Sequence, residues 1–493
     1  MRLGGLDIGT TGCKLSIYGE SGEFLYNAYR EYDVSRVGGA HEVDASVILS
    51  AVKSVIADCA RQHAPSAIGV TSFGESFVLL DDRDRVLLPS MLYTDPRGSV
   101  ECNRLCAALG EEKIIRIAGV KPHPMYSLPK LMWIRENLPE IYARARRVLL
   151  MEDYIVYMLS GRAQIDHSLA ARTMAFDIQR KCWSPEILNA AGIDPTLLST
   201  PVPTGTAAGR VRPSLAEELG LSPETVIVSG AHDQVASAVG AGVFAVGEAV
   251  DGTGTVECIT PVFDSIPTDP TLYAEGYSVV PYVFDGTYVC YALSFTGGAT
   301  LKWFRDNFAT KYGGEENVYA ALDRNVPTDP TDILILPHFA GAANPYMDNA
   351  SRAAIVGLSL EHTAEDLYKA LMEGVTYEIM TNLEHLSTFG ITPSSLYATG
   401  GGARSEVWLQ IKADILGKPI TSLLAKEVGA VGTCMLVGRA IGLYRDLDEA
   451  KSRFVRTGKT YCPDPTRFQK YQSLYAAYRK LYGAVRPIVE ELK

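Results

Sequence analysis

The first twenty residues alternate between apolar and polar positions around a turn rich in glycine and threonine. Leu6 and Ile8 precede the turn at residues 9–12, and Leu15 and Ile17 follow it. A period of two is typical of β-strands, and a short polar turn joins antiparallel neighbours. The pattern therefore predicts a β-hairpin with a polar tip.

The same layout returns in the second half of the chain. An apolar run enters a loop at residues 251–255, which begins with Asp251 and continues into the apolar positions Cys258 and Ile259. One such hairpin is common in many proteins, but two of them opening two halves of a chain indicate an internal duplication. Small residues are concentrated at 240–246, so we predict an N-terminal domain of residues 1–243 and a C-terminal domain of residues 244–493.

Short apolar runs alternate with segments of helical period in the rest of the chain. Residues 47–60 and 367–386 have the helical period, whereas residues 67–70 and 396–398 have the character of strands. Strands that alternate with helices predict an α/β fold with parallel or mixed sheets. The segment from Asp446 onward is rich in Tyr, Lys and Arg and is predicted to be helical.

Length and charge narrow the class of protein. A chain of 493 residues exceeds what one hydrophobic core usually serves, and a net charge of −11 argues against a general grip on nucleic acid or an anionic membrane. The N-terminus has no signal-peptide pattern, and polar residues interrupt the apolar stretch 226–250. Nine scattered cysteines show no metal-ligand spacing. We predict a soluble, cytoplasmic protein that binds neither nucleic acid nor membrane.

The first turn has the groups that a phosphate ligand requires. Glycines let backbone N–H groups approach closely, Thr10 and Thr11 add hydroxyls, and Lys14 adds a positive charge. Asp7 at the strand end is placed to hold Mg²⁺. The alternative is a tight hairpin whose Asp only caps its turn. The second loop favours the phosphate interpretation, because a phosphate cradle between two related halves needs both loops.

A third feature is the apolar strand at residues 226–228, which runs through a glycine-containing turn into Asp233. A carboxylate at this point can accept or orient the proton of a hydroxyl nucleophile in phosphoryl transfer. A simple helix-capping Asp is equally compatible with the position. His232 has no partner His or Cys at ligand spacing, so we expect it to be a hydrogen-bonding neighbour.

Two segments resemble nucleotide motifs and are rejected. Residues 457–460 are similar to the end of a P-loop, but Arg453 stands where the first glycine is required and no strand is expected before it. Residues 240–245 fit a loose dinucleotide fingerprint, yet they follow a helical stretch of small residues. We predict close helix packing there instead.

Together the motifs resemble those of the FGGY carbohydrate kinases, in the superfamily of sugar kinases, heat-shock chaperones and actin, over nearly the full chain. The similar segments are LDIGTTGCK with the first phosphate motif, residues 125–137 with the first signature, residues 165–174 with the Asp-x-Ser stretch, residues 355–373 with the second signature, and residues 399–408 with the adenosine motif. Leu371 is a mild departure. The resemblance implies two related actin-like (ribonuclease H-like) α/β domains with a nucleotide cleft between them, and the use of ATP and Mg²⁺.

The resemblance also implies roles for single residues. Asp233 takes the place of the catalytic base, and Asp7 that of the magnesium-associated carboxylate. The residues expected at ATP are Thr10, Thr11, Lys14, Gly252, Thr253, Gly254, Gly298, Lys302, Gly401, Gly402, Ala403 and Glu406. Those expected at the acceptor are Gly74, Glu75, Asp95, Asp233 and Gln234.

The acceptor side mixes the patterns of two groups in the family. Xylulose kinases have Met-His where this chain has Gly74 and Glu75, and glycerol kinases have Arg-Glu there. Asp233 followed by Gln234 is similar to glycerol kinases, whereas residues 93–97 are nearer to xylulose kinases. The mixture favours a ketopentose such as xylulose, with glycerol or another polyol as the alternative. A further alternative is that Asp95 and Arg97 form only a surface ion pair.

Two other classes of protein share this fold. A non-catalytic, sugar-binding regulator would be expected to lack the base or a phosphate loop, but Asp7, Asp233 and Thr253 are all present. A nucleotide hydrolase of the actin or chaperone type needs no acceptor site. We therefore predict a kinase that transfers the γ-phosphoryl group of ATP to a terminal hydroxyl of a small sugar or polyol, and we leave room for a homodimer.

Overall fold

The computed structural model describes residues 1–492, which form two compact units. Unit 1 consists of Met1–Gly242, Ser278–Val289 and Glu427–Val455, and unit 2 consists of Val243–Tyr277, Cys290–Lys426 and the described residues from Arg456 onward. Two later segments therefore pack with the N-terminal part of the chain. The division of the chain into domains at residues 243 and 244 stays a prediction.

The first half of the chain contains fourteen strands and ten helices. The strands are β1 (Arg2–Ile8), β2 (Gly12–Gly19), β3 (Phe24–Glu31), β4 (Glu42–Val43), β5 (Ala67–Ser72), β6 (Phe77–Leu80), β7 (Ser90–Met91), β8 (Arg147–Leu150), β9 (Gln164–Asp166), β10 (Phe176–Asp177), β11 (Cys182–Trp183), β12 (Thr200–Val202), β13 (Thr206–Arg210) and β14 (Val226–His232). The helices are α1 (Ala45–His63), α2 (Ser99–Leu109), α3 (Glu111–Ala118), α4 (Ser127–Asn137), α5 (Pro139–Arg144), α6 (Met151–Ser160), α7 (His167–Ala170), α8 (Pro185–Ala191), α9 (Pro213–Leu219) and α10 (Asp233–Gly240).

The described part of the second half adds ten strands and nine helices. The strands are β15 (Glu248–Thr253), β16 (Glu257–Phe263), β17 (Val279–Pro281), β18 (Tyr288–Cys290), β19 (Ala292–Ser294), β20 (Leu334–Leu336), β21 (Ala354–Val356), β22 (Ser395–Thr399), β23 (Ile420–Leu423) and β24 (Thr457–Tyr461). The helices are α11 (Pro270–Ala274), α12 (Gly298–Phe308), α13 (Val318–Asp323), α14 (Ala364–Thr388), α15 (Glu406–Leu416), α16 (Val428–Ala440), α17 (Leu447–Phe454), α18 (Pro465–Tyr478) and α19 (Leu481–Glu491).

Unit 1 is built on a six-stranded mixed sheet in the order β13-β14-β5-β1-β2-β3. β1 pairs antiparallel with β2, so the predicted first hairpin is confirmed, and β1, β5 and β14 run parallel. Helix α1 buries Ile48, Val52 and Ile56 against apolar side chains of this sheet, such as Leu15 and Val70. This core holds the ends of β1 and β14 in fixed positions.

Unit 2 repeats this arrangement. β15 pairs antiparallel with β16 and parallel with β22, and β22 pairs parallel with β23. The second hairpin is therefore confirmed. Its first strand, β15, has a parallel neighbour in β22, just as β1 has one in β5. This repetition is the structural form expected of an internal duplication. The largest fully buried side chains of this unit include Trp408, Tyr368 and Tyr377, on α15 and α14.

Most predicted elements are confirmed, but the C-terminal segment is not entirely helical. The segments 47–60 and 367–386 lie in α1 and α14, and the segments 67–70 and 396–398 lie in β5 and β22. Between α17 and α18, however, β24 pairs antiparallel with β23 at the edge of the unit 2 sheet. Thr457 to Thr460 are exposed. An exposed edge strand does not need apolar side chains, so its sequence carried no hydrophobic signal.

The small residues at the end of α10 pack against another helix, as predicted. A Cβ at Gly240 would lie 1.9 Å from the carbonyl oxygen of Val428, and one at Gly432 would lie 1.9 Å from that of Ala236. The backbones of α10 and α16 therefore touch in a way that only glycine permits. This contact fixes α10, the helix that begins with Asp233.

Two further findings concern the whole of residues 1–492. None of their helices combines the length and the apolar character that crossing a membrane would require. All nine cysteines are thiols without a disulfide partner.

Candidate active site

Asp233 lies at the junction of a strand and a helix in unit 1, because β14 ends at His232 and α10 begins at Asp233. The His232 backbone N–H donates to Ser168 Oγ over 2.9 Å, and Ser168 Oγ donates to Asp166 Oδ2 over 2.7 Å. Both Ser168 and Asp166 are fully buried. The segment 165–174 therefore holds the strand end that presents Asp233, whose side chain is 41% exposed.

The surroundings of Asp233 raise the pKa of its carboxyl group toward neutral pH. Burial raises the pKa of Asp233 to about 6, while hydrogen bonds from Gln234 and the charge of Arg172 oppose the increase. His232 Nε2 lies 3.3 Å from Asp233 Oδ1. Burial, together with the charge of Arg172, lowers the pKa of His232 to about 3, so this imidazole is neutral at physiological pH. Asp233 is therefore mostly ionised near pH 7 and close to its pKa, as a general base requires.

Asp7 on β1 belongs to the same electrostatic environment. Burial and the carboxylate of Asp233 raise the pKa of Asp7 to about 7, whereas Lys14 opposes the increase. The Asp233 carboxylate disfavours the ionisation of Asp7, and a divalent cation bound to their oxygens would stabilise the charged forms. Within residues 1–492 there is no group of three or more His, Cys, Asp and Glu side chains arranged around a metal position.

The first loop is a tight turn. The backbone N–H of Gly9 donates to the carbonyl of Gly12 over 2.9 Å, and Thr10 and Thr11 form the accessible tip. Lys14 Nζ lies 2.8 Å from Glu427 Oε1, with both side chains about one-third exposed to solvent (29% and 37%). Lys14, the predicted cation of this loop, is therefore paired with Glu427, a carboxylate that no sequence motif indicated.

Gly74 and Glu75 meet the segment 165–174 through Arg172. Arg172 Nε donates to Glu75 Oε1 over 2.7 Å, and both residues are buried. A Cβ at Gly74 would lie 3.0 Å from Arg172 Cγ, so glycine leaves room for the arginine. Glu75 has a φ of 66°, in the left-handed region, and its carbonyl accepts from Ser127 Oγ over 2.6 Å. Such a conformation persists where surrounding contacts determine it, as at functional sites.

The structure does not leave the Asp95 carboxylate available to a ligand. Its two oxygens accept from Arg97 Nε (2.8 Å), from Arg97 Nη2 (2.7 Å) and from the backbone N–H groups of Arg97 and His41. Burial alone would raise the pKa of Asp95, but these hydrogen bonds hold it below its usual value. Asp95 is buried and Arg97 is partly exposed (22%), so the pair is a half-buried one within the loop 94–97.

In unit 2, the second loop forms one wall of a cavity of about 700 Å³. Gly298, at the start of α12, donates its backbone N–H to the carbonyl of Gly254 over 2.8 Å, and a Cβ there would lie 2.8 Å from the same oxygen. The predicted residues that line this cavity are Gly254, Gly298, Lys302, Gly401 and Gly402. Three predicted segments of unit 2 that are separate in the sequence therefore meet at one cavity.

The other predicted residues of unit 2 lie elsewhere. Thr253 is fully buried beneath the loop, and Gly252 and Ala403 do not line the cavity. Glu406 pairs with Lys459 over 3.0 Å and lines a separate cavity of about 380 Å³. Ser405 is the N-cap of α15, and Glu406 is its first residue. Since each residue turns a helix by about 100°, Ser405 faces the large cavity and Glu406 does not.

The sequence did not single out several residues of these two sites. Arg172 and Tyr93 are at the acceptor side, where Glu75 and Asp233 contribute to a raised pKa of Tyr93 that burial mainly causes. The large cavity is further lined by Thr255, Trp303, Asn317, Tyr319, Asp323, Tyr368, Ser405 and Trp408. Arg172 lies in the segment 165–174, which resembles a family motif. Its pairing with Glu75, 97 positions earlier, is a tertiary contact that no local sequence pattern indicates.

Two family models match most of the chain. The model of the FGGY family of carbohydrate kinases, N-terminal domain, matches residues 2–240, and that of the C-terminal domain matches residues 271–441. Xylulose kinase of Bacillus subtilis is 24% identical over 495 residues (99% of this chain and 98% of that protein), and gluconokinase of the same organism is 29% identical over 504 residues (97% and 94%).

A solved structure shows the same fold over the whole chain. The crystal structure of ligand-bound xylulose kinase from Lactobacillus acidophilus superposes with a TM-score of 0.90 at 24% identity and covers 100% of both chains. The predicted fold class, two related actin-like α/β domains, is confirmed by this likeness.

Proposed function

Because this chain belongs to the FGGY family of carbohydrate kinases, we propose that it transfers the γ-phosphoryl group of ATP to a terminal hydroxyl of a small, uncharged sugar or polyol, with Asp233 as the base. The observation that carries the proposal is the carboxyl group of Asp233, held at the junction of β14 and α10 with a pKa raised to about 6. The substrates of this reaction favour the cytoplasm as its location. A homodimer stays a prediction.

Asp233 is suited to take the proton of the attacking hydroxyl. Its side chain is 41% exposed, so a substrate can reach it, and hydrogen bonds from Gln234 orient the carboxylate. Phosphoryl transfer depends mainly on positioning and charge stabilisation, so one oriented carboxylate is a sufficient base. His232 is neutral and lies against Asp233, which keeps a competing positive charge away from the proton transfer.

We assign the cavity of unit 2 to the adenosine part of ATP. Its volume of about 700 Å³ lies within the usual range for small-molecule sites. Gly401 and Gly402 present backbone without side chains, and Trp303 and Tyr319 offer aromatic surface for a purine. Thr255 at one wall has a hydroxyl that can donate to phosphates, and Lys302, paired with Asp306 Oδ2 over 2.9 Å, lines the same cavity.

Mg²⁺ fits the carboxylates of unit 1. Asp7 and Asp233 are oxygen ligands with raised pKa values, and a bound cation would favour their ionised forms. When bound with ATP, the ion would offset the negative charge of the phosphates. Asp7 would hold it, with water and phosphate oxygens as the other ligands. Asp7 would thereby leave Asp233 to the acceptor hydroxyl.

The charges on the acceptor side favour a neutral substrate over a sugar acid. Arg172 is paired with Glu75, and Arg97 is paired with Asp95. Lys130 Nζ donates to the carbonyls of Asp95 and Pro124. These three cations are thus engaged by the protein, whereas Glu75 and Asp233 supply hydroxyl acceptors. We favour a ketopentose such as xylulose, with glycerol or another polyol as the alternative, over gluconate.

A coupled assay of ATP consumption tests this function. Ketopentoses, hexuloses, glycerol, longer polyols and gluconate would each be offered to the wild type and to Asp233→Asn. We expect a ketopentose to stimulate ADP release, and Asp233→Asn to lower kcat by about 100-fold or more with nearly unchanged ATP binding. Asp448→Asn, a change at an exposed carboxylate on α17 of the same unit, is the matched control. ATP consumption without any acceptor, or near-normal turnover of Asp233→Asn, would contradict the proposal.

A further inference from the structure

A buried lysine lies directly beneath the second loop. Lys412 Nζ on α15 donates to Asp251 Oδ2 over 2.6 Å, to Thr253 Oγ1 over 2.6 Å and to Glu257 Oε1 over 2.7 Å. The side chain of Lys412 is 2% exposed, and those of the two carboxylates are fully buried. Neither the sequence motifs nor the reaction described above uses this lysine.

The three partners of Lys412 flank the loop on both sides. Asp251 and Thr253 are two residues apart on β15, so their side chains lie on one face of the sheet. Thr253 is paired with Glu257, the first residue of β16, so Glu257 lies on the same face. Residues 254–256 between them form the turn, closed by a hydrogen bond from Gly254 N–H to the carbonyl of Val256. One ammonium group therefore joins the end of β15 to the start of β16.

The same cluster borders the cavity assigned to the nucleotide. Gly254 and Thr255, which follow Thr253, line the cavity, and so does Trp408. Trp408 precedes Lys412 by one helical turn, and Lys412 Nζ lies 5.2 Å from the centre of its ring. The hydroxyl of Thr253 accepts from Lys412 and donates to Asp251 Oδ1 over 3.1 Å. A shift of Lys412 would therefore move the loop and the cavity wall together.

We propose that Lys412 is a positioning residue that holds the second loop in its nucleotide-binding shape by bridging Asp251, Thr253 and Glu257. The inference rests on the proposed function, because it assumes that the loop binds ATP. The first loop has no comparable support: its Lys14 and Glu427 are both partly exposed to solvent. A buried, multiply hydrogen-bonded cation restricts its partners far more than a solvated pair does.

The charge of the cluster depends on Glu257. Burial raises the pKa of Glu257 to about 8; Lys412 from α15 opposes the increase and Asp251 from β15 adds to it. These two are the titratable groups that face Glu257. Below about pH 8 the protonated Glu257 leaves Lys412 and Asp251 as a balanced pair. Above that pH a second carboxylate adds one negative charge beneath the phosphates of ATP, which weakens nucleotide binding.

Kinetics of Lys412→Met and of the double variant Lys412→Met/Asp251→Asn test the positioning role. The double variant removes one charge of each sign, so it avoids the unpaired buried carboxylate that destabilises the single variant. We expect both to raise the KM and the dissociation constant for ATP by about ten-fold or more, while the acceptor KM changes by less than about two-fold. A folded double variant with the ATP affinity of the wild type would overturn the inference.

The pH profile gives a second, independent readout. The KM for ATP of the wild type is expected to rise from about pH 7 to about pH 9.5, and Glu257→Gln, which cannot ionise, is expected to remove that rise. Equal profiles for the two proteins would overturn the inference. Calorimetric titration with ATP separates it from the proposed function: nucleotide affinity that depends on Lys412, without phosphorylation of any sugar, would support the inference and contradict only the kinase proposal.

Discussion

At the scale of single residues, the acceptor side of unit 1 depends on a pair that connects distant parts of the chain. Glu75 follows β5 and Arg172 follows α7, and the guanidinium of this ion pair lies close enough to Asp233 to lower its pKa. A buried pair of this kind contributes little net stability, but removal of one partner is costly. The pair therefore matters to the protein because it fixes the positions of the Glu75 carboxylate and the Arg172 guanidinium and the charges that they carry.

The left-handed backbone of Glu75 leads to a prediction about stability. Glu75→Ala and Glu75→Gly both remove the carboxylate from Arg172, so they differ only in the Cβ. Because φ is 66° at this position, Glu75→Gly is expected to be more stable than Glu75→Ala by about 1 kcal/mol. Unfolding in urea, followed by circular dichroism, measures the difference. Equal midpoints for the two variants would show that the left-handed conformation is not strained.

Single residues also show what the sequence could and could not predict. Asp233, Gly254 and Gly298 could be proposed from the sequence because strand ends and glycine-bearing turns have local patterns. The engagement of Asp95 by Arg97 and the burial of Thr253 depend on contacts across the fold, and no local pattern distinguishes a buried carboxylate from an accessible one. Glu406 does not line the large cavity for a smaller reason, one step of helical rotation after Ser405.

At the scale of elements, the contact between α10 and α16 positions Asp233, the proposed base. A helix backbone that touches another helix backbone cannot shift without opening a gap, so the N-terminus of α10 is held where β14 delivers it. The sequence predicted close packing at residues 240–245, but it did not show that the partner helix would come from residues 428–440. Partners separated by nearly 200 residues leave no trace in a local pattern.

Glycine substitutions in α16 test this contact. Gly432→Ala is expected to destabilise the protein by about 2 kcal/mol, because the added methyl would meet the carbonyl of Ala236 at 1.9 Å. Gly429→Ala on the same helix is the control, since its Cβ would meet Ser237 Oγ at an ordinary 3.5 Å. Gly429→Ala is expected to be neutral or stabilising, as alanine favours helices. The same denaturation midpoint for both variants would contradict the proposed backbone contact.

At the scale of the whole molecule, the chain passes between its two units more than once. Unit 1 takes in Ser278–Val289 and Glu427–Val455 in addition to its N-terminal part. Helix α16 packs not only on α10 but also on the sheet: a Cβ at Gly5 of β1 would lie 2.6 Å from the carbonyl of Ala430. Apolar patterns predicted two halves divided near residue 243, which stays a prediction, and they could not show which unit a later helix completes.

A fragment ending at residue 243 tests whether the predicted N-terminal domain folds alone. Without α16 the inner surfaces of β1, β5 and α10 would be exposed, so we expect the fragment to unfold without a cooperative transition. A fusion that adds residues 427–455 through a flexible linker is the matched control and is expected to regain cooperativity. Cooperative urea unfolding of the fragment alone would contradict this expectation and would support a domain boundary at 243.

The order of synthesis gives the discontinuous unit a further consequence. A ribosome makes the hairpin of β1 and β2 first, but the helix that covers β1 and locks α10 emerges only after residue 440. The nascent chain therefore carries an incomplete core, with Asp233 and Glu75 already made, through most of translation. Asp233 therefore reaches its final surroundings only after α16 has been made, about 200 residues after Asp233 itself.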